Sequence, residues 1–197
     1  AAEKKAAEAS KTPQQTKAKS EKLIADPIVE KAVRKSLEKP KGKLTEADLE
    51  KVTTLYLDRH HLTELPKGLE KLTQLKVLRL SYNKLTKVKA LEKLVQLEEL
   101  YLETNQLTDV KSLEKLTQLK KLVLSSNQLT NVKGLEKLTQ LKALYLHINQ
   151  LADVEGLEKL TNLSKLYVQN NPRLTKLQID ELQKALPKCE IRHTAAK

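Results

Sequence analysis

A block of 22 residues recurs through the middle of the chain and decides what the chain can fold into. LKVLRLSYNKLTKVKALEKLVQL runs from Leu75 to Leu97, and LEELYLETNQLTDVKSLEKLTQL from Leu97 to Leu119. LKKLVLSSNQLTNVKGLEKLTQL follows to Leu141, and LKALYLHINQLADVEGLEKLTNL to Leu163. Degenerate copies start at Val52 and at Leu163. A unit this short cannot bury its own apolar side. It must stack on neighbours that repeat the same pattern.

Each unit opens L-x-x-L-x-L-x-x-N-x-L, which from Leu97 gives Leu97, Leu100, Leu102, Asn105 and Leu107. Alternation at Leu100 and Leu102 sends Tyr101 to the opposite side, so this piece reads as a strand. After Leu107 the apolar spacing becomes three, at Val110, Leu113, Leu116 and Leu119. A period of three aligns side chains on 3₁₀ turns, not on a 3.6-residue helix. Stacked units then bring their strands side by side, ~4.8 Å apart, as a parallel sheet. Asparagine recurs at the bend as Asn83, Asn105, Asn127, Asn149 and Asn171, with His60 in the first coil. An amide offers both donor and acceptor, so this column can satisfy backbone groups buried between coils.

The pattern resembles the leucine-rich-repeat family over about Val52 to Leu177, in its 22-residue subclass. The NQL-T-DV segments and helical start are most similar to bacterial internalin-type proteins. The resemblance implies an α/β solenoid. It would be a right-handed arc with a concave parallel sheet, short 3₁₀ convex turns and a helical cap at each end.

The flanks fit that expectation. Residues 1–23 hold a Lys/Ala-rich segment whose first 22 positions lack Leu, Ile, Val and aromatics. Such a stretch buries too little to offset its ordering entropy and reads as a flexible tail or a frayed helix. Residues 24–51 read as an N-terminal cap. Asp26-Pro27 opens a helix with an apolar stripe at Ile28, Val29, Ala32, Val33 and Leu37, which Pro40 and Gly42 end. Thr45 to Asp48 starts a second helix carrying Ala47, Leu49 and Val52. Repeats, about six coils, occupy 52–177. Residues 178–197 read as a C-terminal cap: a helix with Ile179, Leu182, Ala185 and Leu186, then a last strand with Cys189 and Ile191.

Composition excludes several classes of function. Cys189 is the single cysteine, so an intrachain disulfide and a cysteine-built metal site are both out. Lys41-Gly42-Lys43 lacks the remainder of a phosphate-binding loop. His60 and His61 are adjacent and would diverge on a strand. A Cys189–His193 dyad would have neither an oxyanion hole nor an orienting group. The chain therefore reads as non-enzymatic, with no catalytic residue, metal or cofactor. No apolar run reaches membrane-spanning length. An Ala-Ala start is compatible with cleavage after a small-residue signal site. Export to the periplasm or cell surface is the expectation, with a cytoplasmic location as the alternative.

The outward strand positions form three columns. The first is Tyr56, Arg79, Tyr101, Val123, Tyr145 and Tyr167; the second is Asp58, Ser81, Glu103, Ser125, His147 and Gln169. The third is Arg59, Tyr82, Thr104, Ser126, Ile148 and Asn170. All five tyrosines fall in these columns in a chain without Phe or Trp, so aromatics were not needed for packing. Rigid amphipathic rings on a concave sheet suit a protein interface. Tyr56, Arg79, Tyr82, Tyr101, Glu103, Tyr145, His147, Ile148 and Tyr167 are the expected partner-binding set. The formal net charge of +12 lies toward the ends, leaving residues 98–171 neutral. Two rival readings follow: a structural subunit docked permanently in an envelope or surface assembly, and a salt-sensitive binder of an acidic polymer or nucleic acid. The repeats favour a protein partner over nucleic acid.

Overall fold

The computed structural model describes residues 22–195. The expected tail lies outside the described residues up to position 21. Two helices, α1 (Pro27–Ser36) and α2 (Glu46–Leu49), precede six three-residue strands. These are β1 (Thr54–Tyr56), β2 (Val77–Arg79), β3 (Glu99–Tyr101), β4 (Lys121–Val123), β5 (Ala143–Tyr145) and β6 (Lys165–Tyr167). Helix α3 (Lys176–Ala185) and strand β7 (Glu190–Arg192) close the chain. The seven strands form one parallel sheet in sequence order. No helix among the described residues is long and apolar enough to cross a membrane.

Register follows the repeat. Leu55, Leu78, Leu100, Leu122, Leu144, Leu166 and Ile191 pair in turn across the sheet. Behind the sheet the three-residue spacing becomes backbone geometry. Leu113 N–H donates to Val110 O, Leu116 N–H to Leu113 O and Leu119 N–H to Leu116 O, at 2.9, 2.9 and 3.0 Å. Each leucine of this return closes an i→i−3 bond with the apolar residue before it, so side-chain and hydrogen-bond periods coincide. Leu100, Leu102, Leu107, Val110, Leu113, Leu116 and Leu119 are all at most 2% exposed. Burying each is worth about 2 kcal/mol.

The convex turn takes two forms, chosen by one residue. Where the repeat has Ala90 or Ser112, the 3₁₀ segment runs five residues, Lys89–Lys93 or Lys111–Lys115. Where it has Gly134 or Gly156, the glycine is left-handed (φ 95° and 94°) and the 3₁₀ segment shortens to Leu135–Lys137 or Leu157–Lys159. The carboxylate two residues on then accepts the glycine N–H, Glu136 at 2.6 Å and Glu158 at 2.7 Å.

The asparagines tie coil to coil. Asn127 Nδ2 donates to Leu102 O of the preceding coil and Leu124 O of its own, both at 3.0 Å. Its Oδ1 accepts Leu107 N–H at 3.0 Å. Asn105, Asn149 and Asn171 repeat the arrangement. Asn83 bonds Leu57 O and Leu80 O, and accepts His60 and Leu62 N–H, so the first coil is held without an asparagine of its own.

The caps close the stack. Asp26 accepts the Ile28 and Val29 N–H groups at the start of α1, which buries Val29 and Val33. Thr45 and Asp48 form a capping box on α2. This helix is one turn long. Only Leu49 of its expected stripe is buried within it, because Ala47 is exposed and Val52 belongs to the segment after it. Helix α3 begins at Lys176, two residues before the expected boundary, because Thr175 and Gln178 make a second capping box. Gln183 then donates to Leu186 O and Cys189 O, holding the turn that delivers β7 to the sheet.

Two outcomes follow. Asn127→Ala strands the buried Leu107 N–H, while Leu102 O and Leu124 O each lose one of two amide donors and keep those of Asn105 and Asn149. It is expected to cost about 1–3 kcal/mol in urea unfolding, against less than about 0.5 kcal/mol for exposed Gln128→Ala. A Cβ on Gly134 would lie 2.8 Å from Lys111 Cα. Gly134→Ala is therefore expected to lose about 1–3 kcal/mol, while Ala90→Gly loses about 1 kcal/mol or less.

Candidate functional site

The sheet face turned away from the 3₁₀ turns carries the first column as a continuous row. Parallel pairing sets Tyr56 beside Arg79, Arg79 beside Tyr101, Tyr101 beside Val123, Val123 beside Tyr145 and Tyr145 beside Tyr167. Arg192 of β7 pairs with Tyr167 and extends the row into the cap. The Arg79 guanidinium lies 5.9 Å from the Tyr56 ring centre and 4.9 Å from that of Tyr101. Lys121 sits on the same face two residues before Val123. Its ammonium is 4.9 Å from the Tyr101 ring and 5.9 Å from that of Tyr145, and so spans the one position without a large side chain. Tyr145 and Tyr167 meet edge to face at 5.0 Å, and Arg192 stands 4.7 Å over Tyr167. Each cation–ring pair is worth about 0.5–1 kcal/mol at such partly exposed positions. Their larger effect is to restrict the rotamers of the rings along the row.

Charge along the row is largely paired. Asp58 bonds Arg79 Nε at 3.0 Å, Glu190 bonds Arg192 Nε at 2.6 Å, and Glu99 accepts the Tyr101 hydroxyl at 2.6 Å. Burial, then the bond to Glu99, raises the Tyr101 pKa above that of an ordinary phenol. Burial pulls Lys121 down, but its bond to Tyr101 and the charges of Tyr101, Tyr145 and Glu99 outweigh it, and the net shift is upward. Tyr101 is thus a neutral hydroxyl and Lys121 a cation at neutral pH.

The second and third columns depart from the outward strand positions expected for them. The strands end at the first column. Tyr82, Thr104, Ser126, Ile148 and Asn170 adopt left-handed backbone, with φ between 54° and 58°, to swing the following asparagine into the stack. Ser81 and Ser125 are buried instead of facing out, and Glu103, His147 and Gln169 are half-buried. Ile148 and Tyr82 remain 48% and 41% exposed, on the rim of the face. A β-branched residue at positive φ is a genuine outlier. Beside it, Ser125 Oγ, His147 Nδ1 and Gln169 Oε1 are buried without a hydrogen-bond partner, on three successive coils of one column. Among the expected residues, Tyr56 is 58% exposed and Arg79 is exposed. Tyr101, Tyr145 and Tyr167 are half-buried by their neighbours. Lys121, Arg192 and Arg59 complete the row and its rim but fall outside the expected set. A signal for the first two was the i−2 position and the x-L-x spacing of the last strand.

Among the described residues, no three His, Cys, Asp or Glu side chains converge as a metal site requires. Cys189 is 5% exposed and burial pushes its thiol up to about 11.

A model of the leucine-rich-repeat family matches residues 50–107, and a model of paired leucine-rich repeats matches 117–159 and 139–184. The chain belongs to the leucine-rich-repeat family. Such repeats serve generally as protein-interaction modules and are typically non-catalytic. No curated protein sequence matches the chain. Among solved structures it is similar to an internalin, InlF, from Listeria monocytogenes (23% identity, TM-score 0.68, 89% of this chain and 58% of that one). It is also similar to a leucine-rich-repeat protein of Leptospira interrogans (32% identity, TM-score 0.68, 73% of this chain and 38% of that one). Internalin C2 of Listeria monocytogenes shares the fold at 22% identity (TM-score 0.58, 87% of this chain and 95% of that one). The chain thus spans little more than half of the InlF chain and under half of the Leptospira one.

One outcome tests the cysteine. In the native protein at pH 8, Cys189 is expected to react with a disulfide reagent at least about a hundredfold more slowly than in urea, because both access and thiolate are suppressed. Rapid native reaction would contradict its place in the cap.

Proposed function

We propose that the chain is a non-catalytic recognition module that holds a protein partner on its concave sheet. The observation that supports this best is the row from Tyr56 to Arg192, in which rings and cations order one another across seven strands. Rigid aromatic anchors lose little entropy on binding and dominate interface energetics. The partner would contact Tyr56, Arg79, Tyr101, Tyr145 and Tyr167 on the sheet, with Tyr82, Glu103, His147 and Ile148 at the rim. The unpartnered polar groups Ser125 Oγ, His147 Nδ1 and Gln169 Oε1 beside the row support the same face. A periplasmic or cell-surface setting belongs to the same proposal and rests on the internalin-like fold.

The test is affinity capture from the native source with wild-type chain and the Tyr101→Ala/Tyr145→Ala/Tyr167→Ala variant, at low and high salt. The expected result is a defined protein retained by the wild type and weakened at least about tenfold by the triple change, with circular dichroism unaltered. Equal retention by a folded variant would end this reading. Salt-resistant co-purification independent of the tyrosines would favour the permanent structural subunit. Salt-labile polyanion held equally by both would favour the acidic-polymer binder.

A further inference from the structure

Most charged groups on the concave face are already engaged, and the exceptions form a pattern. Both oxygens of Asp58 are engaged: Oδ1 accepts Ser81 N–H at 2.7 Å and Oδ2 accepts Arg79 Nε–H at 3.0 Å. Glu99 is held by Tyr101 and Glu190 by Arg192. Arg59 differs. It is exposed, its guanidinium carbon lies 4.3 Å over the Tyr82 ring, and among the described residues it makes no ion pair and no side-chain hydrogen bond. Lys84, on the Tyr82 bend, is exposed and also without an ion pair among the described residues. The next unpaired charge is Glu103, whose carbonyl accepts Tyr82 N–H from the coil before.

Arg59 is well placed for one chemistry. Resting over a ring uses a face of the guanidinium and leaves its in-plane N–H donors for a ligand. Left-handed backbone at Arg59 and Tyr82 (φ 60° and 58°) lifts both onto the rim. The fork matches a carboxylate in bidentate fashion, and stacking has already restricted the long side chain. From Arg59 to Glu103 is two coils, or ~10 Å. From Arg59 to Glu103 the unpaired charges run positive, then negative, and exposed Lys165 lies three coils further along. A continuous polyanion would carry like charge onto Glu103, whereas a polypeptide can alternate sign over that distance.

We propose that the N-terminal rim of the concave face seats an acidic side chain of the protein partner, its carboxylate forked on Arg59 with Lys84 as second cation, while a basic side chain ~10 Å along meets Glu103. This rests on the reading of the concave face as a protein-binding surface and names the chemistry at one end of it. Three extended residues cover that distance, so a short peptide can probe it.

The experiment uses fluorescence polarisation with a blocked peptide of two glutamates, two serines and one lysine in that order, compared with hexaglutamate and inorganic polyphosphate. Wild type is expected to prefer the mixed peptide over hexaglutamate despite its lower charge. Arg59→Ala should weaken it about tenfold and Arg59→Lys should restore only part, because ammonium keeps the charge without the fork. Glu103→Gln should narrow the preference over hexaglutamate. The convex pair Lys137→Ala/Lys159→Ala removes more charge and should change affinity less than about twofold. Equal loss in the convex pair, or tighter binding of hexaglutamate or polyphosphate, would overturn the proposal. Either result leaves the triple-tyrosine capture to be judged alone, since none of its three positions is altered.

Discussion

Everything in this structure depends on the asparagine at each bend. A coil that turns sharply against its neighbours must bury backbone N–H and C=O groups away from water, and each one left unpaired costs about 1–3 kcal/mol. One amide reaches two carbonyls and accepts an amide hydrogen, and it does so coil after coil. Leucines supply most of the burial energy, yet leucines alone would allow the coils to slip past one another. The amide column fixes their register, and with it the alignment of Tyr56, Arg79, Tyr101, Tyr145 and Tyr167 in a single row.

The same device sets the limits of the concave face. To point asparagine inward, the residue before it turns left-handed, and the strand has already ended one residue before the second leucine. The cost falls on whatever residue stands there. Where it is Ile148 or Tyr82 the strain is not small, and both are large, exposed and on the rim. Structural necessity thus creates a row of raised positions beside the sheet, clear of the leucine core.

What was legible in the sequence followed from one period repeated many times. The parallel sheet, the leucine core, the 3₁₀ return and the row of tyrosines all come from spacing that any single copy displays. Less legible were features set between copies. The left-handed bend has no local signature, since Tyr, Thr and Ile are poor hosts for it; only the demand of the next asparagine imposes it. Lys121 reaches Tyr101 and Tyr145 because those strands flank its own, a relation between positions 20 to 24 residues away. Arg192 was hidden differently: α3 lies between β6 and β7, so the spacing from Tyr167 breaks the 22-residue rule while the spatial column continues. The early start of α3 was a boundary matter, settled by the Thr175–Gln178 box.

A solenoid of near-identical coils could present a uniform face, and this one does not. The convex E-K-L motif changes little from coil to coil, whereas the second and third concave columns change residue at almost every coil and the first sets Arg79 and Val123 among four tyrosines. Leucine packing does not account for that variety at the exposed positions Tyr56, Arg79, Tyr82 and Ile148, which lie outside the core that the repeat must preserve. Ordering cannot account for it either, since the asparagines already fix the stack. Val123 makes the point: it is the one aliphatic place in the row, yet Lys121 extends over it and keeps the line of rings and cations unbroken. A surface whose scaffold is repeated and whose face is varied, held rigid by its own cation–ring pairs, is what the proposed recognition requires, because a partner would then meet one particular sequence of contacts along its length.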